Sequence, residues 1–293
     1  MNDPAAIAAL REDAGVGPAT FWRLLRRFGS AEAILAASPA ALQDAPGIGP
    51  GRARKIVSAA ENLPVIHARL ASVTQRGIAH ITAFDTAYPA RLRRLPDAPP
   101  LLYARGDIAF GDRPSVAVVG AHEASARGIQ AAAQWAHALA RRGFVIVSGL
   151  AAGIDAAGHR GALEAGGLTV AAVGSGLDRI GPAENRPLAG QISRSGALLS
   201  EYPPQTPTST GRLLARNRIV VGLSDLVLVV EARINAAGTM DAASRALKYR
   251  IPLCIVRDPG AFPGNERLLS LGARPVPPAP APDILLAFTR HQG

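Results

Sequence analysis

One segment of the chain combines a strand, a glycine turn and the start of a helix. It runs from Phe144 to Leu163 and reads FVIVSGLAAGIDAAGHRGAL. Its β-branched run ends at Ser148-Gly149, and an alanine-rich helical pattern begins at Ile154-Asp155, after a second glycine at Gly153. A helix that starts directly after such a turn has backbone N–H groups without partners, and glycines let a phosphate approach the main chain closely. The segment therefore predicts a phosphate-binding loop.

Two further strand–glycine junctions lie nearby, SVAVVGAHEAS at 115–125 and LTVAAVGSGLDR at 168–179. From Ser115 onward apolar strands alternate with helical patterns, which is typical of a parallel sheet with helices on both faces. The carboxyl ends of such strands line one crevice, so we expect the three loops to meet there. Strands are predicted near 115–119, 144–148, 168–173, 197–200, 226–230 and 252–256, and helices near 126–142, 154–165, 185–193, 212–222 and 239–249.

The first part of the chain is predicted to be helical. Apolar residues recur at helical spacing through residues 1–75, and glycine and proline interrupt them at short intervals, which predicts a small all-α domain. The second predicted domain is 76–293. It includes a short strand at 78–83, a proline-rich connector at 96–100, and a tail that is extended over 274–282 and helical over 283–289.

Residues 46–56, PGIGPGRARKI, resemble the turn of a helix–hairpin–helix motif. In this interpretation Gly47 and Gly49 offer backbone N–H groups to a DNA phosphate, and Arg52 and Lys55 add positive charge. Residues 15–17 resemble a second, weaker copy. A purely structural hairpin between two helices accounts for the same residues, and both interpretations stay open.

The chain carries a formal net charge of +10, nearly all of it from arginine. Such an excess favours an anionic partner. No apolar run is long enough to span a membrane, and the N-terminus lacks the apolar region of a signal peptide. The single cysteine, Cys254, has no partner for an internal disulfide. We therefore expect a cytoplasmic protein that does not bind a membrane.

Several common cofactor sites are disfavoured by the motifs. The loop Gly120-Ala121-His122 lacks the G-x-G-x-x-G pattern of dinucleotide-binding proteins, and no P-loop sequence occurs. The histidines lack metal-ligand spacing with acids or cysteine. We therefore expect no cofactor and no metal.

Two later segments also point to an anion. Arg216 and Arg218 lie two residues apart in a predicted helix and cannot face the same way, so we expect one to reach the crevice and the other to form an ion pair. Asn217 between them favours helices weakly, which indicates a hydrogen-bonding role. Thr239, after Gly238, is placed to cap a helix N-terminus and contact a phosphate.

Taken together, these segments resemble the DNA-processing protein A (DprA/Smf) family over nearly the whole chain. The resemblance implies a SAM-like or helix–hairpin–helix N-terminal domain followed by an extended Rossmann-like α/β domain. It also implies a non-enzymatic protein that binds single-stranded DNA, dimerises through the Rossmann-like domain and loads a RecA-type recombinase during natural transformation. The matching segments are SGLAAGIDAAGHRGAL (148–163), VGSGLDRIGPAENRPLA (173–189), LLSEYPP (198–204), ARNRIVVGLSD (215–225), VLVVEA (227–232) and YPARLRRLPDAPPLLYARGD (88–107).

The chain departs from the family pattern at four places, one of which is the family's proline-flanked basic segment before Asn-Arg, reduced here to LLAR at 213–216. The family carries Gly-Ser-Arg where this chain has Gly120-Ala121-His122, and its Ser-Gly-x-x-x-Thr element appears as AGTMD at 237–241. The winged-helix module that many members carry at the C-terminus is expected to be missing. No catalytic residue is predicted. The candidate DNA or phosphate contacts are Gly120, His122, Ser148, Gly149, Gly153, Asp155, Gly174, Gly176, Asp178, Arg216, Asn217, Arg218, Gly238 and Thr239.

The favoured hypothesis is a single-strand DNA-binding protein of DNA processing and recombination. One alternative is a divergent member that senses a small nucleotide. Another is an enzyme related to nucleotide phosphoribohydrolases, because Gly238-Thr239 faintly resembles the glycine turn of those enzymes. Because aromatic residues make up 4% of the chain, we expect salt-dependent, sequence-tolerant binding without an aromatic stacking surface.

Overall fold

The chain divides into a mainly helical unit and a unit built on a parallel sheet. The structure is a computed structural model and describes residues 2–233, 235–257 and 262–289. Unit 1 comprises Met1–Ala104 and Glu201–Pro203, and unit 2 comprises Arg105–Ser200 and Pro204–Gly293. Unit 1 extends past the predicted domain end at residue 75, because the pair of antiparallel strands that follows packs onto its helices. Within the described ranges, every helix is too short or too polar to cross a bilayer.

Unit 1 is a bundle of short helices followed by two antiparallel strands with a short helix between them. Its elements are α1 (Pro4–Ala8), a π-helical turn (Ala9–Asp13), α2 (Pro18–Phe28), α3 (Ala31–Ala36), α4 (Pro39–Gln43), α5 (Pro50–Ala59), α6 (Leu63–Gln75), β1 (Ala79–Thr82), α7 (Ala90–Arg93) and β2 (Leu101–Gly106). Ser30 and Ser38 cap α3 and α4 through their hydroxyls. The helical spacing buries Phe21 and Leu24 in the core, which confirms the predicted small helical domain.

Unit 2 is built on a parallel sheet. Its strands are β3 (Ser115–Val119), β4 (Val145–Ser148), β5 (Thr169–Ala172), β6 (Ala197–Ser200), β7 (Leu226–Val229), β8 (Leu253–Val256) and β9 (Arg274–Val276). They lie in the order β6-β5-β4-β3-β7-β8-β9, and every neighbouring pair is parallel. The six predicted strands are present, and their residues are buried, as a sheet covered on both faces requires. Part of the predicted extended tail forms β9.

The helices of unit 2 form two groups. They are α8 (Ala126–Ala140), α9 (Ile154–Glu164), α10 (Arg186–Ser195), α11 (Thr210–Gly222), α12 (Ala237–Lys248), α13 (Pro263–Ser270) and α14 (Pro282–Thr289). α9 packs against α8 and α10, whereas α11 packs against α12. From β3 to β6 successive strands are added toward one edge of the sheet, and from β7 to β9 they are added toward the other edge. Because crossovers between parallel strands are right-handed, the two groups of helices lie on opposite faces. The predicted α/β class is confirmed. α13 was missed because its sequence opens with Pro-Gly, a turn signal.

In unit 2, α8 and α9 approach each other closely. A Cβ added at Gly161 would lie 2.1 Å from the carbonyl oxygen of Ala133, which is backbone of the facing helix. Only a residue without a side chain permits this approach. The contact fixes α9, whose first turn contributes to the cleft described below.

Replacing Gly161 with alanine should lower the free energy of unfolding by about 1–3 kcal/mol, because the helices must move apart. Urea unfolding measures this. Gly190→Ala on α10 is the matched control, since the nearest atom to its added Cβ would be Arg194 Nη1 at 3.7 Å. That variant should be neutral or stabilised by about 0.5–1 kcal/mol. Equal stability of the two variants would contradict the close contact.

Candidate functional site

A cleft of about 490 Å³ opens in unit 2 at the carboxyl ends of β3 and β7. The strand order reverses here, because β4 to β6 lie on one side of β3 and β7 to β9 lie on the other. Ligands of open α/β sheets bind at such a switch point, where the loops after two adjacent strands separate. The lining residues are Val119, Gly120, Ala121, His122, Glu123, Asp155, Thr210, Leu213, Leu214, Arg216, Asn217, Arg233, Asn235, Ala236, Ala237, Gly238, Thr239 and Ala242.

The cleft brings together predicted residues from four separate segments of the chain. These are Gly120, His122, Asp155, Arg216, Asn217, Gly238 and Thr239. Other predicted residues do not line it: Ser148, Gly149, Gly153, Gly174, Gly176, Asp178 and Arg218.

The loop after β4 already binds a carboxylate, that of Asp155 in the first turn of α9. Asp155 Oδ2 accepts hydrogen bonds from the backbone N–H groups of Gly149 at 3.2 Å and Ala151 at 3.3 Å. Gly153 precedes the helix with a positive φ of 73°, which favours glycine. We predicted that this loop presents free N–H groups to a phosphate. The structure corrects this for Gly149 and Ala151, because an internal anion takes up their hydrogen bonds.

Arg216 of α11 reaches across the same loop. Its Nη2 donates to the carbonyl oxygen of Gly149 at 3.0 Å and lies 3.6 Å from Asp155 Oδ2, and its Nη1 donates to Asn217 Oδ1 at 2.9 Å. A Cβ at position 149 would lie 1.8 Å from Nη1, so the guanidinium needs the space that glycine leaves. Burial lowers the pKa of Arg216, and the carboxylate of Asp155 opposes that shift. Arg216 is thus a buried, paired cation at the cleft.

The network continues from Asn217 to α12. Asn217 Nδ2 donates to the carbonyl oxygen of Gly238 at 3.0 Å and to Asp241 Oδ2 at 2.9 Å. Asp241 also accepts from Arg245 Nε at 2.8 Å. α11 and α12 are therefore held together at the cleft. The sequence analysis missed Asp241 and Arg245, although their i, i+4 spacing is a recognisable ion-pair signal.

The charge of Arg216 also affects a buried histidine of α9. Burial lowers the pKa of His159 to about 3, and the charges of Arg216 and Arg160 act in the same direction. Its Nδ1 lies 2.7 Å from Thr169 Oγ1. His159 is therefore neutral near pH 7 and adds no positive charge beside the cleft.

The loop after β5 stabilises unit 2 outside the cleft. The N–H of Gly176 donates to the carbonyl oxygen of Thr206 at 2.8 Å. Asp178 Oδ1 accepts from Arg105 Nη2 at 2.9 Å. The third predicted loop, which includes Gly174, therefore does not join the other two around one cleft.

Arg218 and Ser148 are buried and bonded to backbone. Arg218 Nη1 donates to the carbonyl oxygen of Ala215 at 2.8 Å, and Ser148 Oγ donates to that of Val118 at 2.6 Å. Arg216 lines the cleft whereas Arg218 does not, in keeping with their separation by two residues on one helix.

Four exposed side chains at the cleft can donate to a ligand, and two of them, His122 and Arg233, carry basic groups; the other two are Thr210 and Asn235. Arg233 Nη2 donates to the carbonyl oxygen of Glu123 at 2.8 Å, and its guanidinium carbon lies 5.6 Å from the centre of the Phe262 ring. The sequence analysis missed Arg233. Its place a few residues beyond the end of β7 was the available signal, because the loops after strands line the crevice.

The N-terminus of α12 opens onto the cleft. No side chain caps it at Ala236, whereas Ser125 caps α8 and Ser209 caps α11. Gly238 and Thr239 lie in the first turn and line the cleft. An uncapped helix N-terminus has positive potential and favours an anion.

The predicted hairpins of unit 1 are both present. Gly47 has a positive φ of 81°, Gly49 caps α5, and Arg52, Arg54 and Lys55 are exposed on the helix that follows. In the weaker copy Val16 is buried and accepts from Arg11. The hairpin at residues 46–56 therefore has the exposed basic residues that phosphate contact requires.

Comparison with known proteins assigns the family. A family model described as DNA recombination-mediator protein A matches residues 79–287, and a SAM-like helix-hairpin-helix tandem matches residues 14–62. The chain therefore belongs to the DNA recombination-mediator protein A family, which confirms the resemblance found in the sequence.

Individual relatives agree with this assignment. Protein Smf of Synechocystis is 40% identical over 74% of this chain and 56% of that protein, and DNA processing protein DprA of Bacillus subtilis is 33% identical over 71% of each. The chain thus spans little more than half of the Synechocystis relative. The crystal structure of Streptococcus pneumoniae DprA superposes with a TM-score of 0.85 at 27% identity, covering 98% of this chain and 99% of that one. A Helicobacter pylori DprA structure, described for its single-stranded DNA binding mode, gives 0.61 at 32% identity, covering 68% and 90%.

Asp155→Asn should lower the free energy of unfolding by about 3–5 kcal/mol, because it leaves the Arg216 guanidinium buried without an opposing charge. Urea unfolding measures this, with circular dichroism as the signal. The double variant Asp155→Asn/Arg216→Met should regain part of the loss, since neither charge is left to desolvate. A loss below about 1 kcal/mol in the single variant would show that the pair does not stabilise unit 2.

Proposed function

We propose that this protein binds single-stranded DNA at the cleft between β3 and β7 and acts in DNA processing and recombination. The observation that carries the proposal is the cleft itself, where the uncapped N-terminus of α12 and the exposed side chains of His122 and Arg233 lie together. The net charge of +10 and the family support an anionic polymer as ligand. The Helicobacter relative, whose structure is described by its single-stranded DNA binding mode, supports the same ligand.

The cleft residues divide into two roles. Arg233, His122 and the first turn of α12 contact phosphate, because they open onto the cleft with basic groups or backbone N–H groups that have no carboxylate partner among the described residues. Arg216 and Asn217 position the walls, because their polar groups are engaged with the loop after β4 and with α12. Contacts of this kind recognise the DNA backbone and do not read base edges, so binding tolerates any sequence.

The proposal is a binding role rather than catalysis, and the pairing of the acids at the cleft supports it. Asp155 is paired with Arg216 and Asp241 with Arg245, so both carboxylates of the network are engaged in holding the cleft walls together. The nucleotide-sensor alternative takes support from the volume of the cleft, which suits a small ligand. Competition by mononucleotides against oligonucleotides distinguishes the two.

The hairpin at residues 46–56 of unit 1 supplies an additional contact in this proposal. Gly47 and Gly49 shape a turn that leads into α5, and Arg52 and Lys55 are exposed beyond it. Such a turn binds backbone phosphate irrespective of sequence.

The proposal extends to partners and location. As a recombination mediator of this family, the protein would deliver single-stranded DNA to a RecA-type recombinase in the cytoplasm, where that DNA is processed. A homodimer through unit 2 is supported by Leu247 on α12 and Leu271 after α13, which are 40% and 51% exposed. Leu247 lies on the helix between β7 and β8, and Leu271 lies between α13 and β9, the last strand at this end of the sheet.

The DNA-binding proposal predicts opposite changes in salt dependence for two variants. In fluorescence anisotropy with labelled oligothymidylate, His122→Arg should bind more tightly and steepen the slope of log affinity against log salt by about 0.7, because it adds a permanent charge. Arg233→Ala should flatten the slope by about the same amount, and Lys55→Ala should do so if the hairpin contributes.

The controls are blunt duplex of the same length and free mononucleotides. Equal affinity for duplex would contradict the preference for single strands. Tight mononucleotide binding that displaces the oligonucleotide would favour the sensor. Unchanged slopes in both cleft variants would place the DNA elsewhere on the molecule.

The homodimer predicts that Leu271→Glu, which places a charge in the apolar contact, halves the mass measured by sedimentation equilibrium. Ile129→Glu on α8 is the matched control, since Ile129 is 42% exposed but lies on a different helix. A monomeric wild type, or a dimer that survives Leu271→Glu and dissociates with Ile129→Glu, would contradict this interface.

A further inference from the structure

We infer that unit 1 carries a base-stacking contact for single-stranded nucleic acid, formed by Phe84 and Trp22 and flanked by arginines. The inference rests on the proposed function for its ligand class, but it uses residues outside the cleft and outside the hairpins. It differs from the sequence expectation, because the low aromatic content predicted no stacking surface.

Phe84 is an exposed aromatic side chain in a protein with few of them. It is 42% exposed, and it is the one aromatic among the large apolar side chains that lie exposed in the described ranges. Its ring centre lies 5.8 Å from that of Trp22 at an interplanar angle of 55°. Trp22 is itself half-buried, so the two rings form one partly exposed aromatic surface.

The turn that carries Phe84 is held in place by polar side chains. Asp85 Oδ2 accepts from the N–H of Thr82 at 2.7 Å. Arg93 donates from Nε to the carbonyl oxygen of Ala83 at 3.0 Å and from Nη2 to that of Asp85 at 2.7 Å. The residues on both sides of Phe84 are thereby fixed, and a ligand that stacks on the ring orders little additional chain.

Trp22 is fixed in the same way. Its Nε1 donates to the carbonyl oxygen of Ala98 at 2.8 Å, and its ring meets Phe21 edge-on at 5.4 Å. The polar atom of the indole is therefore satisfied within unit 1. What the pair offers to a ligand is apolar ring surface, which every nucleobase can stack on.

The segments that carry the aromatic pair also carry exposed arginines, beside the one carboxylate of Asp85, which holds the turn. Arg26 lies four residues after Trp22, on the same face of α2, and Arg94 directly follows the Arg93 that holds the turn. Both are exposed, and within the described residues neither pairs with a carboxylate. Aromatic rings beside unpaired cations are the combination that binds single strands without sequence preference, since the bases stack while the phosphates are neutralised.

The test uses the full chain and an oligothymidylate, and it reads affinity and tryptophan emission separately. Stacking should quench the emission of Trp22, and the quenching should be absent in Trp22→Phe, where Trp135 is the only remaining tryptophan and is fully buried. Phe84→Leu should weaken binding about tenfold, the scale of one lost base–ring contact, and Phe84→Tyr should retain wild-type affinity. Ile129→Ala, which removes an exposed apolar side chain from unit 2, should have no effect.

Two outcomes separate this inference from the proposed function. If wild type binds the oligonucleotide but Trp22 emission does not change and Phe84→Leu binds as tightly as wild type, the stacking contact is overturned and the cleft proposal stands. If wild type does not bind the oligonucleotide by anisotropy, both fail. Quenching together with weaker binding in Phe84→Leu supports the contact.

Discussion

The carboxylate of Asp155 and the guanidinium of Arg216, 3.6 Å apart and both buried, connect the parts of unit 2 that form its cleft. Asp155 belongs to the helix after β4 and Arg216 to the helix before β7, so the pair spans the opposite faces of the sheet at its switch point. Each group is expensive to bury alone, and each is bonded further, Asp155 to the loop after β4 and Arg216 to Gly149 and Asn217. The position of the cleft walls depends on this pair.

The same pair decides how an anion can bind. The loop after β4 has the geometry of a phosphate site, but its N–H groups donate to Asp155. The open positive potential at the cleft comes instead from the N-terminus of α12 and from Arg233, both beyond the end of β7. A ligand bound there lies against exposed donors on a rigid frame, which suits a polymer of phosphates that passes along the surface. The residues that hold the cleft walls differ from the residues that open onto the ligand. A substitution at an exposed donor such as Arg233 therefore leaves the buried pair of Asp155 and Arg216 in place.

Unit 1 shows a related separation of frame and surface. Arg93 donates to backbone oxygens on either side of Phe84, so its role is to hold the turn. The arginines that carry free charge, Arg26 and Arg94, lie beside it on α2 and after α7. In a chain whose positive charge is almost entirely arginine, the total charge says little about which side chains are available, because several guanidiniums are bound to carbonyls or carboxylates.

The sequence by itself determined the order and type of most elements, because β-branched runs, glycine turns and helical spacing are local signals. It also determined that Arg216 and Arg218 face different ways, which follows from helix geometry alone. It missed α13, whose Pro-Gly start is a turn signal, and the pairing of β9, which depends on β8. Only the tertiary structure decided which anion the loop after β4 binds and which cations stay free. Arg216 is 67 residues from the Gly149 carbonyl that it contacts, and no local pattern specifies a partner at that distance. The sequence states which residues are charged. Which of these charges are paired is a property of the folded chain, since pairing depends on which groups burial brings within a few ångströms of each other.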